Sequence, residues 1–411
     1  MKNESPLLKL YHKDGTKTVI ASMVSILIGL LVGSVVVLII GATNGNITMK
    51  GGWEGVQMVL FGVFSTGRDA AGALTFGLNP RNLGNLLFRA TPLLMTGLSV
   101  SVAFKTGLFN IGAPGQYLMG TAATLLVSLS IPTSVLPAWL IWILALLAGM
   151  AAGALWGAIP GLLKATRGIN EVLACIMTNW IAANLVTMIF ANSALRNGEE
   201  AGKIGYIKPT ARNGVETAKM GLDYIFPESQ VNGGILVAII IAILVYILMT
   251  KTTLGYELRA CGSNRHAARY AGINDKRNIV LSMAIAGALA GGGAALYWLS
   301  GNTEFFWNTY QTLPGEGFSG IPVALLAANS PIGVIFTSMF MSLLDIAGLQ
   351  LKTFTAFNEY ITDIIISVIV YLSSFSLLIK LWLSGRKKKA AAAPAPAKTE
   401  DKPDETQGKE A

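Results

Sequence analysis

The chain has little charge, little sulfur and almost no histidine. Only 13% of its 411 residues are Asp, Glu, Lys or Arg, about half of the roughly 25% usual in soluble domains. A fully solvated globular surface cannot be built from so few charges. Two cysteines, Cys175 in an apolar run and Cys261 in a basic segment, exclude a disulfide scaffold. His12 and His266 are too few and too far apart for a metal centre. No G-x-x-x-x-G-K-[ST] pattern occurs, so the phosphate-binding loop of an ATP-driven pump is absent. Any ATP used must be hydrolysed by another subunit.

What the chain does have is long apolar runs. Hydrophobic residues make up 53%, and the pattern is that of an all-α, polytopic transmembrane helical bundle. The first run, residues 18–40, follows Lys2, Lys9, Lys13 and Lys17. At about 23 residues it can span a bilayer, and it exceeds the roughly 7–15-residue core of a signal peptide. It is expected to be a retained helix, with residues 1–17 as a cytoplasmic N-terminal segment. Residues 42–82 then lie outside, 51–64 being readable as an interfacial amphipathic piece. Further helices are predicted over 83–104, 115–131, 138–163, 170–194, 233–250, 279–300, 332–349 and 359–382. The apolar segment 318–328, about 11 residues, covers only about 16 Å of the roughly 30 Å hydrocarbon core. It is expected to enter part-way as a short or broken helix, stopped by Asn329, Ser330 and Pro331. Counting it gives about ten membrane segments in a transmembrane domain over 18–385, with both termini cytoplasmic in a cell-membrane protein.

Charge sets the orientation. Residues 251–278 carry Lys251, Arg259, Arg265, Arg269, Lys276 and Arg277 against Glu257 and Asp275, an excess that places this loop in the cytoplasm. Lys105, Lys164 and Arg167 mark the same side. Residues 196–231 hold five acidic and five basic residues and read as an external loop. The formal charge of +9 is thus accounted for by orientation, and nucleic acid is not an expected partner. Residues 386–411 open with a basic run and lack aromatic and branched aliphatic side chains, so they are expected to form a disordered cytoplasmic tail.

Two places interrupt apolar runs with Gly and Pro: KTGLFNIGAPGQ at 105–116 and GEGFSGIPVALLAANSP at 315–331. In lipid, non-helical backbone is tolerated only where protein or a water-filled cavity satisfies it, and paired breaks point to a translocation path. Close helix packing is the other reading of these glycines. Candidate path residues are Asn110 and Gln116 in the first break, Phe318 in the second, and Glu171, Thr178 and Asn179 on one face of a later helix. Such a polar stripe suits a solute with hydroxyls and a heterocycle; bonding between helices is its alternative role. Ionisable residues inside spans would instead indicate an ion-coupled carrier. Arg89, Glu171, Asp345 and Asp363 qualify, Asp345 alone lying deep by register. Trp298, Trp307 and Tyr310 read as membrane-interface anchors.

At these residues the chain resembles a known family. FNIGAPGQ, RGINEVLACIMTNWIAANL, GYELRACGSNRHAARYAGI and GFSGIPVALLAANSPIG look like the permease subunits of ABC importers for branched-chain amino acids, simple sugars and nucleosides. The FNIG and GINEV patterns are most similar to the nucleoside or simple-sugar branch. The chain departs at Pro114, where the family commonly has an acid, so the resemblance carries no ligand-contact role over to that position. It implies a transport subunit that alternates between outward and inward openings, is no enzyme and holds no cofactor. ATP and Mg would be bound by cytoplasmic ABC ATPase subunits; a second related permease subunit and an extracytoplasmic solute-binding protein are the other implied partners. The implied solute is a nucleoside; a pentose or other simple-sugar importer and an ion-coupled secondary carrier are the alternatives. The basic loop would be a coupling helix, about 254–270, seated on the ATPase through Arg259, Asn264 and Arg269. Gly255 belongs to the same motif, and Gly262 and Gly272 would turn the backbone at the helix ends.

Overall fold

The structure, a computed structural model, describes residues 14–43, 48–307, 312–358 and 360–374. The expectations for residues 1–13, for Tyr310, for the last helix beyond 374 and for the tail at 386–411 lie outside the described residues. The chain runs α1 (Asp14–Thr43), α2 (Met49–Phe61), a two-stranded hairpin of β1 (Ser65–Arg68) and β2 (Leu74–Phe76), α3 (Pro80–Lys105), α4 (Ala113–Ser130), α5 (Ala138–Arg167) and α6 (Glu171–Ala191). After a long loop holding the one-turn α7 (Leu222–Ile225) come α8 (Gly234–Lys251), α9 (Thr253–Ser263), α10 (Arg265–Tyr270) and α11 (Asp275–Trp298). The chain closes with α12 (Gly315–Leu326), α13 (Pro331–Phe354) and α14 (Tyr360–Ser374).

Among the described residues, seven helices are long and apolar enough to cross a bilayer: α1 from Met23 onward, α3, α5, α6, α8, α11 and α13. Large apolar side chains such as Leu147 and Leu155 of α5, Met177 and Trp180 of α6, and Ile240 and Leu244 of α8 face outward. Water would penalise such a surface; hydrocarbon does not. By contrast 89% of the most apolar window of α3 and 72% of that of α11 are buried, so these two helices are the inner columns. The predicted helix over 115–131 is present as α4 but is not among the seven. It is enclosed by protein, with Thr121, Thr124 and Ser128 buried, so its side chains need not be compatible with lipid.

Local chemistry explains the ends. Asn79 caps α3 by accepting from Asn82 N–H, with Pro80 in the first turn, where its missing N–H costs nothing. Gly168, at φ +68°, stops α5. Between α12 and α13, Ala328 and Asn329 take φ of +49° and +57°, a left-handed pair that breaks the helix at the predicted place. Ser330 then caps α13, and Pro331 occupies its first turn.

The inner columns meet their neighbours through glycine. On α5, Gly149, Gly153 and Gly157 lie against Gly287, Gly291 and the Met283 carbonyl of α11; a Cβ on Gly153 would stand 3.0 Å from Gly291 Cα, and one on Gly157 would stand 3.1 Å from Gly287 Cα. Gly120 of α4 meets Gly291 from the other side. Small residues allow this backbone-to-backbone approach, which in a membrane supplies the van der Waals contact that a hydrophobic drive cannot.

The loop over 196–231 is not a free external excursion. Asn213 Nδ2 donates to Ser128 O (2.7 Å) and Ile131 O (2.9 Å), the Thr217 hydroxyl donates to Leu299 O (3.0 Å), and Tyr206 bridges to Phe306. This lid changes the reading of two tryptophans. Trp298 donates to Thr121 Oγ1 at 2.9 Å, and Trp307 is buried with Arg196 5.5 Å from its ring. Both therefore pack inside the folded loop and do not form a membrane belt.

The glycine seam yields a direct expectation. Gly287→Ala should destabilise the purified protein by about 1–3 kcal/mol through overpacking, read as a lowered melting temperature in detergent. Gly198→Ala, where a Cβ meets nothing within 4 Å, should leave it unchanged.

Candidate functional site

Four of the predicted path residues come together, but they are occupied by protein. Asn110 and Gln116 exchange two side-chain amide bonds of 2.9 and 3.0 Å, and Asn110 also donates to Ser99 Oγ at 3.2 Å. Asn179 closes the first break from α6: its Oδ1 accepts from Gly115 N–H and its Nδ2 donates to Ile111 O, each at 2.9 Å. Thr178 donates to Cys175 O within its own helix. All four are buried. An amide both donates and accepts, so two or three of them can satisfy each other and the interrupted backbone without water. Glu171 is apart from them, paired with Lys164 at the end of α5, and Phe318 is on the exposed side of α12. None of the six lines the open spaces described next.

The larger of two adjoining cavities, about 410 Å³, is lined by Arg89, Pro92 and Leu93 of α3, Tyr297 of α11, Glu316 and Ser319 of α12, Asp345 of α13, and Thr362 and Asp363 of α14. A second, of about 200 Å³, shares Leu93, Ser319, Asp345 and Asp363 and continues to Pro322 and Met341. A third, about 130 Å³, is lined by Ser101, Lys105, Tyr246, Arg259 and Ser330. All three follow α3, and Arg89 to Lys105 is about 24 Å of helix at 1.5 Å per residue. Between the second and the third, α3 and α12 touch. A Cβ on Gly320 would fall 2.6 Å from the Thr96 backbone, and one on Gly97 would fall 2.6 Å from Val323 and 3.0 Å from Val334. The string of cavities is therefore shut at mid-depth by close packing.

Of the ionisable residues picked out within spans, Arg89, Asp345 and Asp363 surround the larger cavity, and Glu171 does not. Glu316 and Tyr297 escaped sequence reasoning because each sits at a helix end, where a polar residue is unremarkable. The available signal was Glu316 itself, an acid opening the second Gly-rich break. Arg89, Glu316 and Asp345 make no hydrogen bond or ion pair among the described residues.

The basic segment differs from the expected single helix. It forms α9 and α10, broken at Asn264, whose side chain accepts from Ala267 N–H at 3.0 Å and so caps α10. Thr252 folds α9 back on α8: its hydroxyl donates to Leu248 O (2.6 Å) and accepts from Gly255 N–H (3.1 Å). Gly255 abuts the backbone of Leu248 and Met249, leaving no room for a side chain. Gly272, at φ +81°, ends α10 as expected. Gly262 has another task, because it lies within α9 and presses on the Lys105–Gly107 backbone. Arg265 Nε and an Arg269 amino group each donate to Asp275 Oδ2 at 2.7 Å, and Arg277 pairs with Glu257 at 2.6 Å. The bond to Asp275 raises Arg269 further above the ordinary arginine value, so its charge is permanent. Arg259 donates to Gly255 O at 3.3 Å and lines the smallest cavity beside Lys105. The segment is thus fastened to the end of α3 through Gly262 and to the start of α11 through Asp275.

Comparison with known proteins gives a consistent result. The family profile described as branched-chain amino acid transport system / permease component matches residues 82–374. The guanosine ABC transporter permease protein NupP of Bacillus subtilis (strain 168) is 35% identical over 309 residues, 75% of this chain and 85% of that protein. The nucleoside ABC transporter permease protein NupB of Lactococcus lactis subsp. cremoris (strain MG1363) is 32% identical over 372 residues, 90% and 95% of the two chains. The glucose ABC transporter permease protein TsgB13 of Haloferax volcanii is 32% identical over 296 residues, 70% and 74%.

The amide seam can be tested by one substitution. Asn179→Leu keeps the branched heavy-atom skeleton but strands the Gly115 N–H and the Ile111 carbonyl, and should cost about 1–3 kcal/mol, measured by thermal unfolding of the purified protein.

Proposed function

The chain belongs to the branched-chain amino acid transport system / permease component family, and from that membership we propose that it is the membrane-spanning permease of an ATP-driven importer of nucleosides. The observation that carries the solute class is the match, over nine-tenths of this chain, to a relative named as a nucleoside ABC transporter permease. A guanosine permease supports it, and the glucose permease of Haloferax keeps a simple-sugar importer as the second reading. The subunit moves solute and performs no covalent chemistry; ATP and Mg belong to separate ATPase subunits. A second related permease and an extracytoplasmic solute-binding protein complete the assembly.

In this reading the seven long helices are joined by α4, the short α12 and α14, making ten crossings. The end of the bundle carrying Lys105, Lys164, Arg167 and the α9–α10 segment faces the cytoplasm, by the excess of Lys and Arg there. The α9–α10 pair is the ATPase-docking element. Its two fastenings suit that role: a push on α9 reaches α3 through the Gly262 contact, and a push on α10 reaches α11 through the Arg265–Asp275–Arg269 cluster. Both inner columns would then move as rigid bodies and transmit nucleotide-driven closure to the membrane.

Cells lacking the gene should lose uptake of labelled uridine and adenosine that is insensitive to unlabelled ribose and leucine and to collapse of ion gradients. Uptake surviving deletion but blocked by ribose competition would favour the sugar reading. In the complete transporter, Arg259→Ala together with Arg269→Ala should lower uptake at least tenfold while ATP hydrolysis continues. Normal transport in that double variant would remove the docking assignment.

A further inference from the structure

The larger cavity has a composition that the fold does not require. Arg89, Glu316 and Asp345 come from three different helices, face one space of about 410 Å³, and make no hydrogen bond or ion pair among the described residues. Charged side chains inside a membrane bundle are costly unless they are paired or face a watery or ligand-filled space, and they mark solute pathways. The volume falls in the roughly 300–1,000 Å³ range of small-molecule sites. Acids outnumber the single guanidinium three to one, with Asp363 as the third. Pro92, Leu93 and Leu349 supply an apolar wall, and Tyr297, Ser319 and Thr362 bring hydroxyls.

The geometry points to this cavity as a solute-holding site that selects neutral molecules rich in O–H and N–H donors and rejects anionic ones. Carboxylates accept from ribose hydroxyls or base N–H groups. Arg89 donates to a base carbonyl, and the apolar wall receives the ring face. A phosphate would bring its negative charge against an acid-rich lining, and like charges repel. The site would therefore admit a nucleoside and turn away the corresponding nucleotide. The choice of nucleoside as occupant rests on the function proposed above; the preference for neutral donors rests on the cavity alone. Because the second cavity continues from this one toward the Gly97–Gly320 closure, a held solute would wait directly above the shut segment of the path.

The test is equilibrium binding to the complete permease–ATPase complex in nanodiscs without the solute-binding protein, with labelled uridine and with ribose and uridine monophosphate as competitors. Uridine should bind saturably, uridine monophosphate should not displace it at tenfold higher concentration, and Glu316→Gln and Asp345→Asn should each weaken binding at least tenfold. Melting temperature monitors folding; should Asp345→Asn lower it, Glu316→Gln, in the first turn of α12, carries the test alone. Uridine binding unaffected by both variants, displacement by uridine monophosphate, or no saturable binding of labelled uridine or labelled ribose overturns the proposal. If labelled ribose binds and uridine does not, with the same loss in the variants, the site stands and the nucleoside reading falls.

Discussion

Where α4, α5 and α11 meet, backbone lies on backbone. Gly120, Gly149, Gly153, Gly157, Gly287 and Gly291 leave no side chain between the helices, and the resulting contact is held by dispersion forces along the length of the seam. In lipid this matters more than in water, because apolar side chains gain nothing by leaving hydrocarbon for one another. The seam makes α11 a strut locked to α5. Its first residue, Asp275, gathers Arg265 and Arg269 at the cationic end, and Tyr297, near its other end, borders the larger cavity. A helix so fixed moves whole or not at all.

The second inner column, α3, is held differently. Its far end runs into a break that would be ruinous in lipid if left open, and the Asn110–Gln116–Asn179 amides close it with protein donors and acceptors. Ser282 of α11 adds a 2.9 Å hydroxyl bond to Thr106 at the same level. The side of α3 toward α12 is instead closely packed, with Gly97 against Val323 and Thr96 against Gly320. The same helix is thus tied by amide hydrogen bonds at its far end and by close packing against α12 and α13 at mid-depth.

The break residues illustrate how much was legible. KTGLFNIGAPGQ and GEGFSGIPVALLAANSP stood out because Gly, Pro and Asn interrupt apolar runs, and the structure breaks its helices at both places. Sequence reasoning also placed Asn110, Gln116 and Asn179 near one another. It left open whether they face a solute or bond between helices; in the structure their amides bond to one another and to the interrupted backbone. Asn264 and Gly262 show the same limit: a polar residue and a glycine in a basic loop read as contact and turn, while in space one is a cap and the other a point of backbone approach.

Sequence by itself determined the helical class, the places of the long apolar spans, the sidedness expected from Lys and Arg, and the two breaks, since each is a property of composition along a line. Tertiary structure alone decided which polar groups are consumed by protein and which face open space. That depends on the rotation of each helix about its axis, a rotation set by neighbours distant in sequence. Arg89, Glu316 and Asp345 are separated by more than a hundred residues of chain at the widest, and only the packing of α3, α12 and α13 turns them to one cavity. A rotation of one residue, about 100° of helix, would turn any of them away from it.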